Sequence, residues 1–140
     1  MSQCIATIVL GIAVAGISVT STVPLQAHHA FAAEFDSRKQ VSLKGAVTRV
    51  EWVNPHVWIH VDVKKPDGKI ESWAIEAGTP NVLFRRGVTK QSLKSGTEVV
   101  IDGYQAKDGS HRANGREVKL ADGSKLFLGG SGTGAPYEIK

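Results

Sequence analysis

The feature that most constrains this chain is a two-residue alternation of apolar and polar side chains, broken by Asp-Gly turns. Val57, Ile59, Val61 and Val63 alternate with Trp58, His60 and Asp62. Successive side chains of a strand point to opposite faces, so this period describes a strand with one buried face. Val41, Leu43, Gly45 and Val47 alternate in the same way with Ser42, Lys44, Ala46 and Thr48. Asn54-Pro55 separates the two runs. Pro66-Asp67-Gly68 predicts a hairpin, because Asp-Gly supplies the positive φ that such turns require. Ile70 to Glu76 returns from it, with Trp73 and Ile75 opposite Ser72, Ala74 and Glu76. Thr97–Tyr104 and Ala113–Leu120 are further strands around Asp108-Gly109, and Lys125–Leu128 is a short last strand after Asp122-Gly123.

One helix interrupts the strands. Thr79 is a cap, Pro80 suits the first helical position and Gly87 suits the stop, which predicts a short helix over Asn81–Arg86. Three strands, a short helix and two more strands is the element order of the OB-fold, a five-stranded Greek-key barrel. The expected fold is therefore all-β: a small OB-like barrel with one short helix between strands 3 and 4. A small sandwich is the competing arrangement.

The ends of the chain differ from this middle. Met1–Ala27 contain no Asp, Glu, Lys, Arg or His, and Ile5–Val19 is almost wholly apolar. A spanning helix needs ~20 apolar residues, so this shorter run fits the core of a secretory signal. Ala27 suits the residue before the cut, although Leu25 is larger than the usual occupant two positions earlier. An uncleaved membrane anchor is the alternative. The expected organisation is a signal peptide at 1–27, an irregular N-terminal arm at 28–40, the β-domain at 41–128 and a Gly/Ser/Thr-rich flexible tail at 129–140. The expected location is periplasmic or secreted. Cys4 is the only cysteine of the 140 residues. The exported part would then hold no disulfide and no thiolate.

The segments AHHAFAAEFD (27–36), KGAVTRVEWVNPHVWIHVDV (44–63), LFRRGVTKQSLKSG (83–96) and GYQAKDGSHRANGREVKLADG (103–123) resemble a family of small secreted proteobacterial proteins of unknown function. The resemblance implies an exported single domain and brings no activity. Ser92–Val99 with Gly103 is similar to exported bacterial OB-fold proteins, which bears on the fold alone.

Two groups of residues suggest chemistry. Cleavage after Ala27 would make His28 the amino terminus. Its amine and imidazole, with His29, would form a nitrogen set of the kind Cu(II) prefers. His56, His60 or His111 would complete it, although His56 and His60 stand ~13 Å apart along an ideal strand. The plainer possibility is a pair of exposed histidines. The second group is Trp52 and Trp58 with Arg49, Lys64 and Lys69. On an OB-like face these would make an aromatic and basic surface for a polymer, lipid or protein. Alternatively the tryptophans pack beneath the arm, against Phe31 or Phe35.

Export argues against nucleic acid as partner, and a membrane would be met only through an uncleaved signal. The net charge of +4 favours acidic surfaces without naming one. No nucleophile elbow, P-loop, zinc-protease helix or dinucleotide fingerprint is present. The expectation is an exported binding module, not an enzyme, with copper as its possible cofactor.

Overall fold

The computed structural model describes residues 30–129 and 135–137. The signal peptide expected at 1–27 and the candidate ligands His28 and His29 lie outside the described residues. The elements are α1 (Ala30–Glu34), β1 (Phe35–Glu51), β2 (Trp58–Lys64), β3 (Ile70–Glu76), α2 (Pro80–Arg85), β4 (Glu98–Ala106), β5 (Arg112–Leu120) and β6 (Lys125–Phe127). The fold is all-β, a mostly antiparallel six-stranded sheet with two very short helices.

β1 is the organising strand. Ala46 pairs with Asp62 of β2 on one edge and with Glu98 of β4 on the other. β2 pairs antiparallel with β3, and β4 with β5. β3 then pairs in parallel with β5, through Ala74↔Arg112, Ile75↔Ala113 and Glu76↔Asn114. The pairings therefore run β1–β2–β3–β5–β4 and return to β1. β5 divides its remaining edge, giving Arg112–Asn114 to β3 and Glu117–Lys119 to β6.

The alternation read from the sequence sets the inside of this circuit. Leu43, Val47, Ile59, Val61, Trp73, Ile75, Val99, Ile101, Ala113 and Val118 are buried together, and Leu83 and Val88 close one end. Fully burying an aliphatic side chain of this kind contributes ~1.5–3 kcal/mol, so this cluster is the main stabilising mass. α2 forms as its cap chemistry predicts. The Thr79 side-chain oxygen accepts from the Val82 N–H at 3.3 Å, and Gly87 takes a φ of +81° after the last turn. The Pro66-Asp67-Gly68 turn likewise places Gly68 at φ +84°.

Two expectations for the flanks change. The region read as an irregular arm, 28–40, holds α1 and the first residues of β1, which starts at Phe35. Ser37 to Gln40 are exposed on both sides of the strand, so no alternation marks them. Phe35↔Ala106 is the pair that holds this end, before the register shifts to Gln40↔Tyr104. Phe31 and Phe35 belong to a second buried cluster with Tyr104, Ala106 and Ala135. The region read as a flexible tail contributes to it as well: Tyr137 packs on this cluster, and its hydroxyl donates to Asn114 Oδ1 at 2.6 Å.

Candidate functional site

The outer side of β1, β2, β3 and β5 carries two rows of mostly polar side chains, and the register dictates both. One row runs Glu51, Trp58, Glu76, Asn114 across the four strands. The other runs Arg49, His60, Ala74, Arg112. The rows are two residues apart on each strand, so they share a face. Trp58 and His60 are half-buried there, while Ile59 and Val61 point inward, as the alternation predicts.

His56 stands just before β2, after the cis Asn54–Pro55 peptide. The backbone beside it is held by the Val57 N–H, which donates to the Gly78 carbonyl, and by the Val57 carbonyl, which accepts from the Ala77 N–H. This places His56 Nδ1 3.1 Å from Glu76 Oε1. Glu76 is a buried acid, 8% exposed, at the end of β3. Burial pushes its carboxyl up to about 7, the negative charge of Glu34 adds to the rise, and Arg112 opposes it.

Glu34 comes from α1, whose docking brings it to this face. Its Oε2 lies 2.9 Å from Arg112 NH2. The Arg112 guanidinium also covers the Trp58 ring, 5.3 Å from its centroid, a cation–π contact. The Lys107 ammonium donates to the Ala32 carbonyl and the Lys107 N–H donates to the Glu34 carbonyl, which fixes α1 against the end of β4.

The other histidines have separate carboxylates. His60 Nε2 is 3.4 Å from Glu51 Oε1 and 3.3 Å from Arg49 NH2. His111 stacks on Trp73 at 4.9 Å, and its Nε2 is 3.9 Å from Glu71 Oε1. His56, His60 and His111 therefore do not converge on one point, and no group of three or more His, Cys, Asp or Glu among the described residues is arranged to hold a metal ion. His28 and His29 directly precede α1 in the chain.

Of the cations expected on the aromatic and basic face, Lys69 lies 3.8 Å from Asp67, while Lys64 has no ion-pair partner among the described residues. Arg49 NH2 lies 2.8 Å from Glu51, and Arg112 pairs with Glu34. Trp52 packs partly buried against the main core, not under α1. Phe31 instead meets Phe35 and Tyr104, at 5.8 and 5.5 Å between centroids.

Sequence reasoning missed Glu34, Glu76 and Arg112. Alternation put Glu76 on the outward side, where a carboxylate is unremarked. Only the docking of α1 and the parallel β3–β5 pairing bring the three together.

Residues 15–115 match DUF6152, a family of unknown function. The chain belongs to the DUF6152 family. The match covers well over half of the chain and includes His28, His29, Glu34, His56, Trp58, Glu76 and Arg112. No curated protein and no solved structure matches. For this DUF6152 protein, function has to be argued from the face itself. Among the described residues, no helix is long and apolar enough to cross a membrane.

Proposed function

We propose that the protein is an exported binding module that holds a transition metal, copper, through His28 and His29 and completes the site with His56. The observation that carries this reading is the His56–Glu76 pair. A metal-ligating histidine usually gives its second ring N–H to a carboxylate, which fixes tautomer and ring orientation. Glu76 takes Nδ1 of His56 in this way, from a buried position. Among the described residues nothing hydrogen-bonds His56 Nε2, which is the nitrogen left to ligate. His60 is the weaker candidate, because Arg49 and Glu51 occupy its Nε2.

The rest of the reading follows from position. His28 and His29 are attached to α1, and α1 ends at Glu34 beside Arg112 and Glu76. Removal of Met1–Ala27 would add the His28 amine to the set, and an amine with imidazoles suits the tetragonal preference of Cu(II). The scaffold in this reading is an OB-like Greek-key barrel. Its support is the circuit of pairings through β1, β2, β3, β5 and β4, with α2 between β3 and β4. The location in this reading is periplasmic or secreted, supported by the charge-free apolar leader. An interaction surface around Trp58 is the second reading. It ranks below the first because Arg49 and Arg112 already have carboxylate partners.

Titration with Cu(II) of the protein isolated from its cell, with its first residue fixed by intact mass, tests the proposal. One tight site with nitrogen couplings in the paramagnetic resonance spectrum is expected. Glu76→Gln removes only the carboxylate behind His56 and should weaken binding by ~10–100-fold. His56→Ala should weaken it further, and an extra residue ahead of His28 should remove the tight site. Equal affinity in all three altered proteins would sink the proposal.

A further inference from the structure

A groove of about 860 Å3 opens on the outer side of β1, β2, β4 and β5, and includes none of the His–Glu pairs. Its origin is local. The last β1–β2 pair is Ala46↔Asp62, and Ala46 also faces Glu98. Lys44 and Lys64 lie two residues beyond that pair on their strands, and so on the same face, where the two strands part. The small side chain of Ala46 leaves the floor open.

The lining combines cations with apolar walls. Lys44, Lys64, Lys65 and Lys119 surround the opening, against two carboxylates, Asp62 and Glu98. Asp62 Oδ1 accepts from the Ser72 hydroxyl at 2.6 Å, and neither Asp62 nor Glu98 has an ion-pair partner among the described residues. Lys65 is 3.7 Å from Glu71, and Lys119 is 3.2 Å from Asp102. Among the described residues, Lys44 and Lys64 have no ion-pair partner. Both line the groove, from neighbouring strands, and an anion bound there could accept a charge-assisted contact from each. Val100 and Leu120 line the same groove, and Ile70 stands at its edge, 56% exposed. A large aliphatic side chain left in water beside a cationic pair is the complement of a molecule with an anionic head and an apolar tail. The groove's volume falls within the ~300–1,000 Å3 of small-molecule sites. Its apolar residues line an open groove that a single flexible chain can enter.

We propose that this groove binds one molecule of a long-chain anionic amphiphile, with its head between Lys44 and Lys64 and its chain along Ile70, Val100 and Leu120. The site is independent of the metal reading.

The probe is hexadecanoate labelled with ¹³C at its carboxyl, titrated below its aggregation threshold into the protein isolated from its cell. Saturable one-to-one binding is expected, with butanoate showing none over the same range. Lys44→Gln with Lys64→Gln should weaken binding by about tenfold or more, the scale of two lost charge-assisted contacts. Lys44→Arg with Lys64→Arg should retain it. Both lysines are exposed, so these variants keep the fold, and unchanged far-ultraviolet circular dichroism checks this. His56→Ala should bind hexadecanoate normally, which separates this site from the metal proposal. Absence of saturable binding overturns the inference, and so does equal affinity in the double Gln variant. Association with mixed phosphatidylcholine–phosphatidylglycerol vesicles but not with monomeric hexadecanoate overturns it in favour of a membrane surface.

Discussion

Glu76 is an acid placed where its ionised form is disfavoured. Burial and the nearby charge of Glu34 raise its folded pKa to about 7, from an ordinary value of 4.5. Between those two values the folded protein holds a proton that the unfolded chain releases. Stability from this group is therefore fully present below about 4.5 and is lost as pH rises through about 7. At ~1.4 kcal/mol per pKa unit, the loss is on the order of 3 kcal/mol. Glu76→Gln cannot titrate, so urea unfolding across that window should lose this downward slope. An unchanged slope in the variant would refute the assignment. This acid could not be picked out in the sequence. Period-two alternation is blind to what covers an outward face, and Glu76 is covered by residues far from it in the chain. His56 was legible as a candidate, but its partner was not. Trp58 was legible as outward, but not the guanidinium of Arg112 above it.

Among the elements, the strands and α2 were the most readable, because each carries its own local chemistry. β2 and β3 follow their alternation and the turn at Asp67-Gly68. α2 follows its Thr79 cap and Pro80. α1 and the start of β1 have no such signal. Ala30–Glu34 is too short to show a helical period, and it forms because Phe31 inserts between Phe35 and Tyr104. Phe31→Ala removes that insertion and should cost ~3 kcal/mol, the lower part of the range for a buried aromatic. Amide exchange should quicken in α1 and at the Phe35↔Ala106 end of β1, while amides of β2 and β3 stay protected. Uniform quickening across the sheet would mean that the two buried clusters are one cooperative unit.

For the whole molecule, the element order suggested a closed OB-like arrangement, yet no single segment encodes which strands meet. The parallel pairing of β3 with β5 joins Ala74 to Arg112, and β1 with β4 joins Leu43 to Ile101. Such contacts are distant in sequence, so loop closure must be accomplished before they return any stability. Refolding after rapid dilution from denaturant should take milliseconds to seconds, the ~ms–s range of all-β domains rich in non-local pairings. Relaxation in microseconds would contradict so non-local an architecture.

Phe31, two positions into α1, and Tyr137, near the other end of the described chain, rest on the same ring, Tyr104. The described residues thus nearly close into a circle, with both of their ends meeting at one ring. A short splice between residues 30 and 137 would complete that circle, and new ends could be opened at the exposed Asp108-Gly109 turn.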